Sequence, residues 1–244
     1  FRHDPFFEFT ISYKGVNSMQ FLDPLQTIDG LSKGNLGLGK KWLAKNESQR
    51  KLMSEYMLKI NYSIQDFNET VQEGFSGAPK DVVYLIVLAD WIKDSCWRIK
   101  GCLREDVSSG FKFSNIERLK LCREFLEAIR AIVVAHPVSV SKHREYGFDG
   151  GRICVDIRSK SLIDGYPGAK FYRLHMGSAE EAECAYDDDV VLATYSVDSD
   201  NNGGLRFQRV CFDMADVRNA AQLYIDSLYE LDCYVAGLKK KDFV

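Results

Sequence analysis

The chain has 244 residues, of which 45% are apolar and 27% are charged, and its formal net charge is −3. This size and composition are typical of a globular protein with one large domain or two small ones. The acidic balance argues against an extended DNA- or RNA-binding surface, because such surfaces are usually basic. A small site that binds one or two phosphates remains compatible with it.

Apolar runs and cysteine usage indicate the class of protein. The longest apolar run, residues 82–89, is far shorter than the roughly 18 residues that a membrane-spanning helix requires. The 7 cysteines are odd in number and no two have C-x-x-C spacing. We therefore interpret them as reduced structural thiols and expect a cytoplasmic protein with no membrane segment and no metal site.

The first 47 residues predict a short strand and a glycine-rich loop. Apolar and polar side chains alternate over residues 7–13, which is the period of a strand. Glycines and Pro24 are frequent between residues 23 and 40, and no preceding buried strand accompanies them. We expect a flexible loop there, which can include one helical turn, and no phosphate-binding glycine motif.

Residues 48–138 predict three long helices, because apolar side chains recur there at helical spacing. The segments cover residues 48–71, 81–103 and 114–135. The second segment carries Trp91 and Trp97, which we interpret as core or bundle-edge aromatics. The third opens with Ser114 and Glu117, at the spacing of a capping box.

Residues 139–212 predict a small antiparallel sheet. Candidate strands cover residues 152–157, 170–176, 190–197 and 205–212, and a Gly/Asn/Asp-rich loop joins the last two as a hairpin. An acidic stretch from Glu180 to Asp189 is expected to be a solvated loop.

Residues 213–244 hold the fourth helix, which Asp213 is expected to cap. The predicted fold class is therefore α+β, a four-helix bundle with a small antiparallel β-sheet inserted before the last helix.

The sharpest candidate for chemistry is the pair Arg130 and His136, which lie six residues apart at the end of the third helix. A neutral imidazole can take a proton from a ribose 2′-hydroxyl. A guanidinium can bind the phosphate and stabilise the charge that develops on it. Because Pro137 disfavours helical geometry at His136, the chain can turn there and bring the two side chains together. In the alternative, Arg130 is a surface residue and His136 contacts the helix end.

This R-x5-H spacing near the end of a late helix in a bundle resembles the HEPN domain family. The resemblance covers roughly residues 48–137 and 213–238. It implies a metal-independent endoribonuclease that acts on RNA as a homodimer with a composite site. Arg130 and His136 would be its catalytic residues, and no cofactor would be required.

A second cluster of charged residues lies at the entry into the predicted sheet. His143 and Arg144 fall in a loop, and Asp156 and Arg158 fall two residues apart in a strand, where side chains share one face. These four residues could bind a phosphate or a substrate carboxylate. In the alternative they form exposed ion pairs that contribute little. The runner-up function is accordingly a non-catalytic bundle that binds a protein partner or a small ligand through the β insert.

Overall fold

The computed structural model describes most of the chain. The described residues are 22–31, 36–75, 77–134, 153–158, 171–186, 189–198 and 204–239. The strand predicted over residues 7–13 lies outside them. The glycine-rich loop ends in one short 3-10 helix, Gly37–Gly39, and a second one, Lys41–Leu43, follows it.

Four long helices and one short helix occur in the described part of the chain. They are α1 (Glu47–Gln72), α2 (Pro79–Cys102), α3 (Glu105–Ser109), α4 (Ile116–Val133) and α5 (Met214–Gly237). The predicted cap of the last helix is confirmed, because an Asp213 carboxylate oxygen accepts a hydrogen bond of 2.7 Å from the Ala215 backbone N–H. In the same way Asn46 caps α1 by accepting from the Gln49 backbone N–H.

The predicted capping box at the start of α4 is wrong. The cap position is Asn115, which makes no side-chain cap hydrogen bond. The Ser114 backbone N–H instead donates to Glu230 of α5 at 3.0 Å, and the Ser114 hydroxyl also donates to this carboxylate. A carboxylate from a distant helix has taken the place of the local cap.

Helix α2 is the central helix of the bundle, because it packs against α1, α4 and α5. Its apolar first half predicts this position, and Val82, Leu85 and Ile86 are fully buried. The structure confirms the α+β class and a bundle completed by a helix that follows the sheet. The fold class and the completed bundle both arise because the apolar faces of the helices must be covered from two sides.

The sheet has five strands in the order β1-β4-β5-β2-β3. They are β1 (Ile153–Arg158), β2 (Phe171–His175), β3 (Ser178–Ala182), β4 (Asp189–Asp198) and β5 (Gly204–Asp213). The expectation of purely antiparallel pairing needs correction, because β2 pairs with β5 in parallel. The other three pairings are antiparallel. The β2–β3 hairpin joins the sheet at the edge of β5 that β4 leaves free.

The sheet packs on the helical bundle and does not stand apart as a module. On one face Leu192, Val210 and Phe212 belong to the same apolar core as the helices. The opposite face carries a second apolar cluster that includes Val191 and Cys211. Strands β4 and β5 are therefore buried on both faces.

The acidic stretch is not a solvated loop throughout. Glu180 and Glu181 lie in β3, pairing with Arg173 and Tyr172 of β2. Asp189 is buried at the start of β4, and its carboxylate accepts hydrogen bonds from the Arg173 guanidinium and from the Tyr186 backbone N–H. A buried cation on β2, which is separated from β4 by β5 in the sheet, explains why this one carboxylate leaves solvent.

Candidate functional site

A cavity of about 610 Å³, which we call the α2–α4 cavity, lies between α2, α4 and α5. Its wall combines charged side chains with one exposed aromatic ring. The lining residues from the two longer walls are Lys93, Asp94, Trp97 and Arg98 of α2 and Arg123, Glu127, Arg130 and Ala131 of α4. Tyr224 of α5 closes the remaining side. Helical spacing places each set on one face of its helix.

Arg130 lies in the last turn of α4 and lines this cavity. Its Nη1 atom is 3.1 Å from Oδ2 of Asp90, whose side chain is only 3% exposed, whereas the Arg130 side chain is 51% exposed. A guanidinium carries five N–H donors in a planar fork. Asp90 therefore holds one edge of Arg130, and no second ion pair to the guanidinium occurs among the residues that the structure describes.

Lys93 connects Asp90 to the rest of the cavity wall. Its Nζ atom is 2.7 Å from Asp90, 3.3 Å from Asp94 and 3.7 Å from Glu127. The Lys93 side chain is only 4% exposed. A buried ammonium is tolerated only when carboxylates surround it, so these partners fix its position.

Arg123 and Arg98 complete the basic side of the cavity. Arg123 Nε donates to Glu127 at 2.9 Å, and this hydrogen bond raises the pKa of Arg123. Arg98 is exposed and forms no ion pair with any described residue. With Asp90 included, the four cations and three carboxylates of this region leave one net positive charge.

Tyr224 is a structural part of the wall. Its hydroxyl donates to the Leu119 backbone carbonyl at 2.8 Å. Burial raises the pKa of Tyr224, so the phenol stays protonated at physiological pH. A neutral donor already engaged with the backbone does not transfer protons in this cavity.

Of the other residues chosen from sequence, the structure describes only Asp156 and Arg158, which lie in β1. His136, His143 and Arg144 lie outside the described residues. Asp156 is half-buried in β1 and pairs with Ala193, which belongs to the apolar cluster on the sheet face away from the helices. Arg158 ends the same strand, opposite Val191. Whether Arg130 and His136 converge therefore stays a prediction.

Sequence reasoning missed Asp90, Lys93 and Arg123, and it gave Trp97 no role in a site. A signal was present, because Asp90 and Lys93 interrupt the apolar α2 on its buried side. Charged residues at spacings of three and four in such a helix indicate a buried polar network. On α4, Arg123, Glu127 and Arg130 repeat the same spacing.

Comparison with protein-family models, with curated proteins and with solved structures finds no match to this chain. The resemblance to HEPN domains therefore stays a hypothesis that depends on Arg130 and His136. Across the described residues, no helix is long and apolar enough to cross a membrane. Nor do three or more His, Cys, Asp or Glu side chains in that part of the chain come together as metal ligands.

Proposed function

We propose that this chain is a HEPN-like endoribonuclease that cleaves RNA without a metal ion at the α2–α4 cavity. The observation that supports this proposal is the ion pair and the partial exposure of the Arg130 side chain. Its guanidinium is held by the buried Asp90 and is still half exposed in a cavity with a net positive charge. A preorganised guanidinium stabilises negative charge that develops on a phosphate, with little cost for reorienting the side chain.

The reaction has two proton transfers and one displacement at phosphorus. His136 takes the proton of a ribose 2′-hydroxyl, and the 2′-oxygen forms a bond to the adjacent phosphorus. The bond from phosphorus to the 5′-oxygen then breaks, and that oxygen receives the proton that His136 took up, relayed through solvent. Arg130 holds the non-bridging phosphate oxygens throughout. The products are a 2′,3′-cyclic phosphate and a 5′-hydroxyl end.

The ion pair between Asp90 and Arg130 also supports a second candidate function. If Asp90 engages Arg130 only to complete a buried network, the arginine is structural and the cavity has no catalyst. The chain would then be a non-catalytic bundle that binds a protein partner or a small ligand through its β insert. The formal net charge of −3 also favours this alternative, because it provides no long-range attraction for RNA.

The deciding experiment is cleavage of a fluorescently labelled single-stranded RNA by the purified chain in the presence of EDTA. We expect cleavage with cyclic phosphate ends, and we expect His136→Ala to lower the rate by about 10²- to 10⁴-fold. Arg130→Lys should also lower the rate, because an ammonium cannot reproduce the planar fork.

Arg118→Ala is the matched control, since Arg118 is an exposed residue of α4 that does not line the cavity. Circular dichroism of each variant separates loss of chemistry from loss of fold. Absence of cleavage by the wild-type chain, or a wild-type rate in folded His136→Ala, would overturn the proposal and leave the binding function.

A further inference from the structure

Trp97 presents an aromatic surface to the cavity that holds Arg130. The Trp97 residue is 40% exposed and lines the cavity wall. Phe113 stacks against its indole with ring centroids 6.2 Å apart and planes inclined by 20°. Phe111 in turn packs edge-on against Phe113 at 4.9 Å. This row of rings fixes the orientation of the indole, so a ligand would meet a platform that is already in place.

Three guanidinium groups line the same cavity as this platform. Arg98 follows Trp97 directly in α2, and both side chains line the cavity. Across the cavity, Arg123 and Arg130 are separated by two turns of α4, about 10.5 Å along the helix axis. An aromatic platform flanked by guanidinium groups matches the two parts of a nucleotide, which are a flat base and an anionic phosphate.

Size and charge limit what the cavity can accept. Its volume of about 610 Å³ falls within the roughly 300–1,000 Å³ typical of small-ligand sites. A base inside a duplex has both faces covered by its neighbours, so only an unpaired base can stack on Trp97. The single net positive charge of the region matches one phosphodiester and does not match a long stretch of backbone.

We propose that the α2–α4 cavity binds one unpaired nucleotide, with its base stacked on Trp97 and its phosphate held by Arg98 and Arg123. This inference deepens the proposed function, because it makes single-stranded RNA the substrate class of the same site. It places the bound nucleotide beside the position where Arg130 meets the scissile phosphate. Trp97 is a binding residue in this account and takes no part in proton transfer.

Trp91 offers a matched comparison for Trp97. It lies on the same helix and is 41% exposed. It faces a different groove, between α1 and α2, where the Lys59 ammonium lies 4.3 Å from its ring centroid. Since a partly exposed tryptophan at a bundle edge is ordinary, the two residues separate a general effect of aromatic surface from a specific effect of the cavity.

The experiment measures binding of a 2′-O-methyl single-stranded pentanucleotide, which cannot be cleaved because it has no free 2′-hydroxyl. Titration calorimetry with the wild-type chain gives the reference Kd. We expect Trp97→Leu to weaken binding by about 5- to 150-fold, the loss that corresponds to one stacked base. Arg98→Ala should also weaken binding, whereas Trp91→Leu and Arg118→Ala should leave the Kd unchanged.

Two further measurements keep the inference testable if Trp97→Leu does not fold. Trp97→Phe retains an aromatic face and should bind within about threefold of the wild type, because any π-face can stack. A series of pentanucleotides with one abasic position, tested on the wild-type chain, should reveal one position where the base is needed.

The outcomes for this inference and for the ribonuclease proposal are distinguishable. Equal Kd values for Trp97→Leu and Trp91→Leu, or equal binding of a duplex and a single strand, would overturn the nucleotide site even if the chain cleaves RNA. Loss of binding in Trp97→Leu without any cleavage by the wild type would retain the nucleotide site and reject the ribonuclease.

Discussion

Asp90 Oδ2 on α2 lies 3.1 Å from Arg130 Nη1 in the last turn of α4. Through the other oxygen of the same carboxylate, Asp90 also accepts a hydrogen bond of 2.7 Å from the Lys93 ammonium. One buried carboxylate thus holds both a buried cation and the arginine that we assign to phosphate binding. The stability of the bundle and the position of Arg130 therefore depend on the same side chain.

Neutralising Asp90 should destabilise the fold. Asp90→Asn removes the charge closest to the buried Lys93, and breaking a buried ion pair costs about 3 kcal/mol. We expect a loss of that size in the free energy of unfolding, measured by urea denaturation. Asp94→Asn is the control, because Asp94 is 48% exposed and its pairing should contribute less than about 1 kcal/mol. Similar effects of the two substitutions would show that the buried network is not what stabilises this region.

A second buried ion pair stabilises the sheet. Arg173 and Asp189 are each 3% exposed at the side chain, and the Arg173 guanidinium also stacks 3.6 Å from the Tyr186 ring centroid. Asp189→Ala should lower the free energy of unfolding by about 3–5 kcal/mol, because it leaves a buried guanidinium without its carboxylate. Thermal denaturation measures this loss.

The double variant Asp189→Leu with Arg173→Met tests the reason for that loss. Apolar replacement of both partners leaves no unpaired charge, so the double variant should be more stable than Asp189→Ala alone. If the double variant is the less stable of the two, the loss in Asp189→Ala reflects packing and not an uncompensated charge.

Thiol reactivity should divide the seven cysteines into two groups. Cys154, Cys184 and Cys233 are exposed, and the four buried cysteines are Cys96, Cys102, Cys122 and Cys211. Burial raises the pKa of all four buried thiols, which lowers their thiolate fraction as well as their access to reagent. At pH 8 a disulfide reagent should titrate three thiols rapidly and the rest only in denaturant. Rapid titration of all seven under native conditions would contradict this burial.

Cys211 should make stability depend on alkaline pH. Burial, followed by the nearby Asp189 carboxylate, raises the pKa of Cys211 to about 12 from a reference value of 9.0. Because the folded-state pKa is the higher one, the protonated thiol stabilises the fold below pH 9. That stabilisation is lost as the pH rises from 9 towards 12, by up to about 1.4 kcal/mol per pH unit.

The alkaline effect can be isolated by comparing the wild type with Cys211→Ala at pH 8 and pH 10. Other titrating groups are common to both chains, so they cancel in the difference between the two free energies of unfolding. We expect the advantage of the wild type to be smaller at pH 10. A difference that stays constant would show that Cys211 does not titrate differently in the folded and unfolded states.

The positions of the long helices and of most strands follow from the sequence, because they depend on neighbouring residues. Ile60, Ile64 and Phe67 lie on one face by helical periodicity, and all three are buried in α1. Asp213 predicts the start of α5 for the same local reason, since a carboxylate caps the backbone N–H groups that follow it. The α+β class then follows from the order of these elements.

Only the tertiary structure decided which distant groups meet. The parallel pairing of β2 with β5 joins two strands that are not consecutive in the chain. The burial of Asp189 depends on Arg173 in a different strand. The cavity at Arg130 exists because α2 packs against α4, which brings Asp90 to Arg130 and places Lys93 and Trp97 in the same wall. Local periodicity fixes the face of the helix or strand on which a side chain lies. The partner of that side chain comes from a segment far away in sequence. A buried charge is stable only where the side chain faces inward and such a partner of opposite charge meets it.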